Sequence, residues 1–331
     1  MFKFFPSSPL LFSCFFFGTF VSISSSHWMF LWLGLELNLF CFIPILLSSL
    51  MYSFEAAIKY FLIQLFSSLM LISSMLSMFI PSFSLSNLIM MIFFSVSMMT
   101  KLSIAPCHFW FPSVMSSTPW IPCLLLMTWQ KFVPLFIMVF ISPFYPIFLI
   151  FFLSSLSSLV GGLGGLAQSQ LRNLLAYSSI GHMGWTMSIL PISPTISLIY
   201  FLCYSMITLP LIYIFFSFNF FSNSQLFSLF SLNKLFYFMF CLSILSLSGL
   251  PPLMGFFPKW MILMFLMKFN LFLFSFLLIL GSLMNLFFYL SMIFPVVTLT
   301  SVPPSITKFN KSLFLFWIFF SLLGLLPFSL L

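Results

Sequence analysis

Four ionisable side chains stand deep inside apolar stretches of this chain. Glu36, one of two acidic residues among 331, lies near the middle of the run from Trp28 to Leu50, and Lys101, Lys131 and Lys259 lie in three further runs. An ionised group at bilayer depth costs about 2.5 to 3.5 kcal/mol on insertion scales, so together the four point to a buried proton or ion path. Hydrocarbon favours the neutral form of an amine and a nearby carboxylate restores the charged one. A lysine with a movable acidic partner can therefore take up and release a proton. A swing of about 4 kcal/mol between the two settings would oppose roughly 170 mV, at about 2.3 kcal/mol per 100 mV. Glu36 with Lys101 is the candidate pair.

Lys131 sits in Trp129-Gln-Lys-Phe-Val-Pro134, far from both ends of its run, so its ammonium cannot readily snorkel to an interface and needs an internal partner or water. One embedded acid cannot neutralise three lysines, which weighs against a purely structural ion pair. Lys101, Lys131 and Lys259 are read as a lateral proton relay over three helices of one bundle. His108 follows Lys101 by seven residues, roughly two helical turns, and could extend the relay or gate its exit. His182, in Ser178-Ser-Ile-Gly-His-Met-Gly-Trp185, is open to the same role or to a plain helix-to-helix hydrogen bond. His27, beside Trp28, looks interfacial. Glu55 precedes Lys59 by four residues, the favourable order for a surface pair on a helix. Gly161-Gly-Leu-Gly-Gly165 follows no strand, so it reads as close helix packing or a turn rather than a phosphate loop.

The elements that must position these groups follow from composition. Hydrophobic residues make up 63% of the chain and charged residues 4%, with mean hydropathy +1.27, which excludes a water-exposed globular surface. The expected fold is an all-α polytopic membrane protein, residues 1–331 forming a single integral domain with about eleven transmembrane helices. Breaks at Pro, Gly, Ser and Asn clusters place spans near 9–25, 27–50, 55–79, 85–107, 119–141, 143–166, 170–191, 195–220, 233–267 with an interruption, 270–293 and 312–330. The apolar stretch near the N-terminus is read as the first span rather than a signal peptide, because no small-residue cleavage site follows it.

The fourth and ninth spans are each broken by proline beside a lysine, at Lys101-Leu-Ser-Ile-Ala-Pro106 and at Gly249-Leu-Pro-Pro-Leu-Met-Gly-Phe-Phe-Pro-Lys259. They are five spans apart, so a five-helix unit repeated once (about 9–141 and 143–293, then a C-terminal helix at 312–330) would have its second copy inverted. Matched broken helices in inverted repeats are the layout of ion-coupled transporters. Lys3, Lys59, Arg172, Lys234, Lys308 and Lys311 fall at the N-terminal side and Lys268 opposite, which puts the N-terminus on the positive, inner side. The net charge of +8 is scattered singly, so no nucleic-acid patch exists. Six cysteines show no metal spacing and read as buried free thiols.

The blocks Trp32-Leu-Gly-Leu-Glu-Leu-Asn38, Glu55-Ala-Ala-Ile-Lys-Tyr-Phe-Leu-Ile-Gln64, Lys101-Leu-Ser-Ile-Ala-Pro-Cys-His-Phe-Trp-Phe-Pro112, Met127-Thr-Trp-Gln-Lys131 and Ser248-Gly-Leu-Pro-Pro-Leu-Met-Gly-Phe-Phe-Pro-Lys-Trp260 resemble the subunit 2 family of mitochondrial NADH:ubiquinone oxidoreductase, respiratory complex I. The resemblance runs in order through most of the chain. It implies an antiporter-like membrane-arm subunit, shortened by three helices relative to its bacterial counterparts, that pumps protons. Glu36, Lys101, Lys131 and Lys259 are the positions it marks as the relay. It also implies no cofactor on this chain, since NADH, flavin, iron–sulfur clusters and ubiquinone belong to other subunits. Subunits 4L and 4 are the implied neighbours, with membrane lipids around them, in the mitochondrial inner membrane with the N-terminus in the matrix. The absence of a targeting segment and the abundance of Phe (54) and Met (23) fit an AT-biased gene expressed inside the organelle. Ser113 stands where the family often has an acid.

Rival readings make different demands. A stand-alone cation/proton antiporter shares the broken helices and buried lysines, but the sequence offers no carboxylate pair for sodium. A haem protein needs paired histidines on facing helices, and three histidines do not supply two pairs. A passive assembly scaffold would tolerate apolar replacements at all four buried ionisable positions.

Overall fold

The computed structural model describes residues 8–47, 52–78, 84–142, 146–226 and 234–298. The expected span at 312–330, with Lys3, Lys308 and Lys311, lies outside the described residues. The chain divides into two compact units, residues 1–146 and 147–331.

The first unit contains α1 (Ser8–Ser24), α2 (Trp28–Leu47), α3 (Tyr52–Met78), α4 (Ser84–Leu102), α5 (Trp110–Ser117), α6 (Trp120–Met127) and α7 (Trp129–Ile141). The second contains α8 (Ile147–Leu166), α9 (Leu171–Ile189), α10 (Pro194–Phe218), a short 3-10 turn at Asn223–Leu226, α11 (Lys234–Ser248), α12 (Phe256–Lys268) and α13 (Phe272–Thr298). Among the described residues there is no strand beyond an isolated bridge between Gln170 and Ser222.

Six helical stretches are long and apolar enough to cross a membrane: Trp28–Leu47, Ser53–Ser77, Trp120–Ile141, Ile147–Leu166, Pro194–Phe218 and Phe272–Phe294. Their outer faces carry bulky apolar side chains, such as Phe148 and Phe287, at 72% and 65% exposure, while Glu36, Lys101, Lys131 and Lys259 are buried. That inverts the arrangement of a soluble protein and suits a hydrocarbon solvent. The many serines do not contradict it, because their hydroxyls donate back to carbonyls one turn earlier. Ser67 bonds Gln64 at 2.6 Å and Ser154 bonds Phe151 at 2.8 Å. No hydroxyl so paired needs water. Pro44 and Pro210 sit within α2 and α10 without ending them.

Helix α9 is the least apolar of the long helices and is buried on every side from Ser178 to Ile189. It is the central helix of the second unit, screened from lipid by its neighbours. Close approach of α8 makes this possible: a Cβ on Gly184 would lie 2.7 Å from the Ser154 carbonyl oxygen, and one on Gly161 would lie 2.6 Å from the Gly181 amide nitrogen. The glycine-rich segment of α8 is therefore a packing face within a helix.

Candidate functional site

Lys101 occupies the last turn of α4, and the way that helix stops decides what surrounds it. Ser103 adopts a left-handed φ of 57°, its N–H donates to the Thr100 carbonyl, and the N–H of Ile104 donates to Met99. This paired closure satisfies the last carbonyls of α4 and turns the chain away, while the Ser103 hydroxyl takes the Leu102 carbonyl at 2.6 Å. Residues 103–109 then form a turn rather than helix, so His108 is not two helical turns from Lys101 as its spacing suggests. It is buried in that turn, 5% exposed, with its ring 4.2 Å from Phe109.

Lys131 sits in the first turn of α7. The break that creates this turn falls at Thr128, whose φ and ψ of −114° and −74° separate α6 from α7. Within α7, Pro134 has no N–H to offer the Gln130 carbonyl, one residue before Lys131. The ammonium lies 4.3 Å from the centroid of the Phe111 ring, on α5, and the side chain is 1% exposed. A cation over an aromatic face gains about 0.5 to 2 kcal/mol, which partly offsets its burial.

Glu36 points inward from α2 on the face shared by Leu35, Asn38, Leu39 and Phe42. Its Oε1 is buried without a hydrogen-bond partner. It lies within electrostatic reach of Lys101 and of the Tyr60 hydroxyl without a contact ion pair to either. The contact ion pair among the described residues is Lys59 with Glu55, 2.6 Å on an exposed face of α3. Lys101 and Lys131 both line a cavity of about 20 Å³, together with Asn38, Tyr60, Gln64, Trp110 and Gln130. Sequence reasoning marked the lysines but not the amides. Their signal was weaker but present, since Asn38, Gln64 and Gln130 also stand within apolar runs.

The second unit builds its site on the broken ninth span. Helix α11 closes by the same pairing as α4: Gly249 N–H to Ser246, and Leu250 N–H to Leu245, with Gly249 at φ 81°. Lys259 Nζ, arriving from α12, donates to the Ser248 carbonyl at the end of α11 at 2.8 Å. The ammonium thus rests at the negative end of the α11 dipole, 6.0 Å from the Trp185 ring centroid. In α9, His182 Nδ1 meets the Tyr200 hydroxyl of α10 at 2.9 Å and its ring stands 4.9 Å from that of Tyr204. The helix-to-helix bond considered for His182 is present.

Cys14, Cys41, Cys107, Cys123, Cys203 and Cys241 are all free, though Cys14 is exposed and only Cys123 is fully buried. Among the described residues no group of three or more His, Cys, Asp or Glu is arranged to hold a metal ion.

Fold and site together define a helical membrane protein with lysines buried beside helix breaks. The chain matches the family model for the membrane domain of NADH:quinone oxidoreductase and Mrp antiporters over residues 25–285, and it belongs to that family. It is 39% identical over 309 residues to NADH-ubiquinone oxidoreductase chain 2 of Lumbricus terrestris, covering 93% of this chain and 91% of the relative. The same chain of Hylobates lar is 38% identical over 307 residues, 90% and 88% of the two. The fold is similar to a chain of respiratory complex I from Thermus thermophilus, TM-score 0.85 and 23% identity over 97% of this chain and 78% of that one. A chain of the Mrp complex from Dietzia is more distant, TM-score 0.77 and 14% identity over 91% and 61%.

Proposed function

We propose that this chain is the chain 2 subunit of a mitochondrial NADH:ubiquinone oxidoreductase and translocates protons across the inner membrane while other subunits carry the electrons. The observation that carries the reading is the burial of Lys101, Lys131 and Lys259 at 7%, 1% and 6% exposure in a bundle whose outer face is apolar. Three amines buried in apolar surroundings beside helix breaks are read as groups kept for gaining and losing a proton. Glu36, Lys101 and Lys131 serve as the relay of the first unit and Lys259 as that of the second, with His108 and His182 as further candidates to extend or gate it.

The matching closures of α4 and α11 support reading the chain as one five-helix unit used twice, with the second copy inverted by the odd number of spans between the breaks. The distribution of Lys and Arg supports an N-terminus in the matrix. Neighbouring subunits 4L and 4, and a chain without redox cofactors of its own, complete the reading.

A free cation/proton antiporter is the second reading, favoured by the likeness to a chain of the Mrp complex. Native electrophoresis of mildly solubilised membranes, with NADH-oxidation staining and mass spectrometry along the lane, separates the two. Co-migration with a very large NADH-oxidising band is expected. Migration as a small particle without that activity would overturn the subunit assignment.

A further inference from the structure

The cavity of the first unit is walled by more than its lysines. Gln130 Nε2 donates to Asn38 Oδ1 at 2.9 Å, tying α7 to α2 across 92 residues of sequence. Gln130 is the immediate neighbour of Lys131, and Asn38 lies two residues beyond Glu36. The bond therefore fixes the start of α7, where Lys131 is carried, against the helix that carries the acid. It also leaves the pair with one amide NH2 group and one carbonyl oxygen still able to bond. Gln64, 5% exposed, and Tyr60, 2% exposed, also line the cavity.

A cavity of about 20 Å³ accepts a single water, which needs about 10 to 15 Å³ and two to four polar partners. The lining meets both demands. We propose that the Asn38–Gln130 hydrogen bond is a positioning latch: it holds Lys131 and the amides of this cavity in place, so that the relay read above can pass a proton between Lys101 and Lys131 through a water held there. The inference rests on the relay reading above. In the transfer, an N–H bond of one lysinium breaks as an O–H bond of the water forms. A second O–H bond of that water breaks as an N–H bond forms on the neutral amine of the other lysine. One proton moves, the water is regenerated, and no oxidant or reductant is needed. The amides take no proton themselves; they orient the water.

An amide pair that merely ties two helices would matter for stability alone. The test separates the cases in the assembled complex carrying Asn38→Leu, Gln130→Met, Gln64→Leu, Lys131→Met, or the exchanged pair Asn38→Gln with Gln130→Asn. Uncoupler-sensitive proton flux per NADH oxidised, its solvent deuterium isotope effect, and thermal stability are read together. Asn38→Leu and Gln130→Met are expected to lower proton flux by about tenfold and to enlarge the isotope effect, as misplacing a transfer partner does. The exchanged pair, which preserves the summed side-chain length and the bond, is expected to restore most of the flux.

Parental flux in both single variants, with Lys131→Met still abolishing it, would remove the latch and leave the relay standing. Parental flux in Lys131→Met would remove the relay reading itself. Lowered stability with an unchanged flux and isotope effect would make the pair a structural tie and overturn the inference. If the two single variants do not assemble, Gln64→Leu decides, because it strips an amide from the wall without touching the tie. Reduced flux supports the water site, and parental flux overturns it.

Discussion

Gly249→Ala is the substitution whose consequence the structure fixes most fully. Gly249 has φ 81°, and an alanine held there costs about 1 to 2 kcal/mol relative to glycine. The added Cβ would also stand 2.8 Å from Lys259 Nζ, 3.0 Å from its Cδ and 3.2 Å from its Cε. Lysine is flexible and would swing aside, but in doing so it gives up its 2.8 Å bond to the Ser248 carbonyl. A hydrogen bond to a charged donor contributes about 1.5 to 3 kcal/mol, so the combined effect is roughly 2.5 to 5 kcal/mol. The assay is thermal inactivation of the solubilised complex alongside proton flux per NADH in sealed vesicles. Gly249→Asn separates the two components, because asparagine enters the left-handed region at less cost yet still carries a Cβ. Alanine and asparagine are both expected to depress proton flux, and alanine to lower thermal stability further. Parental flux and stability in Gly249→Ala would refute the claim that this glycine makes room for the Lys259 ammonium.

Other substitutions test other parts of the account. Gly255→Ala would drive a Cβ into the Ser246 carbonyl oxygen, forcing the ninth-span break to open; a loss above about 2 kcal/mol, seen as poor assembly on native gels, is expected. Gly184→Ala, with its Cβ 2.7 Å from the Ser154 carbonyl oxygen, is expected to push α8 from α9 and cost about 1 to 3 kcal/mol in a thermal ramp, with proton flux retained in the assembled fraction. Tyr200→Phe removes the partner of His182 and is expected to cost about 1 to 2 kcal/mol in a thermal ramp; lost pumping at parental stability would support the gating role proposed for His182, and retained pumping would leave it a helix-to-helix tie. Glu55→Gln breaks a pair whose side chains are 44% and 71% exposed, and it is expected to leave both stability and flux at parental values.

Much of the scaffold was legible because apolar runs end where serine, proline and asparagine cluster, as at Trp28–Leu47 and Ile147–Leu166. The two proline-marked breaks were legible for the same reason. The break at Thr128 was not, since no proline or glycine stands at it, and Pro44, Pro134 and Pro210 all sit inside helices. Helix α5, Trp110–Ser117, was hidden because its eight residues are too few to span a membrane and fall between the expected spans at 85–107 and 119–141. The ionisable residues announced themselves by their cost in hydrocarbon. Their immediate partners did not, because they are a backbone carbonyl at Ser248, an aromatic face at Phe111 and an amide bond between residues 92 apart, all set by tertiary packing.

The central claim is that the buried lysines carry protons, and Lys131, at 1% exposure, is the position where no surface role competes. The direct measurement is uncoupler-sensitive proton flux per NADH oxidised in sealed vesicles carrying the assembled Lys131→Met complex, with NADH oxidation by a soluble acceptor recorded in parallel. The account predicts that oxidation by the soluble acceptor persists while coupled proton flux collapses. A parental proton-to-NADH ratio at parental turnover would contradict it.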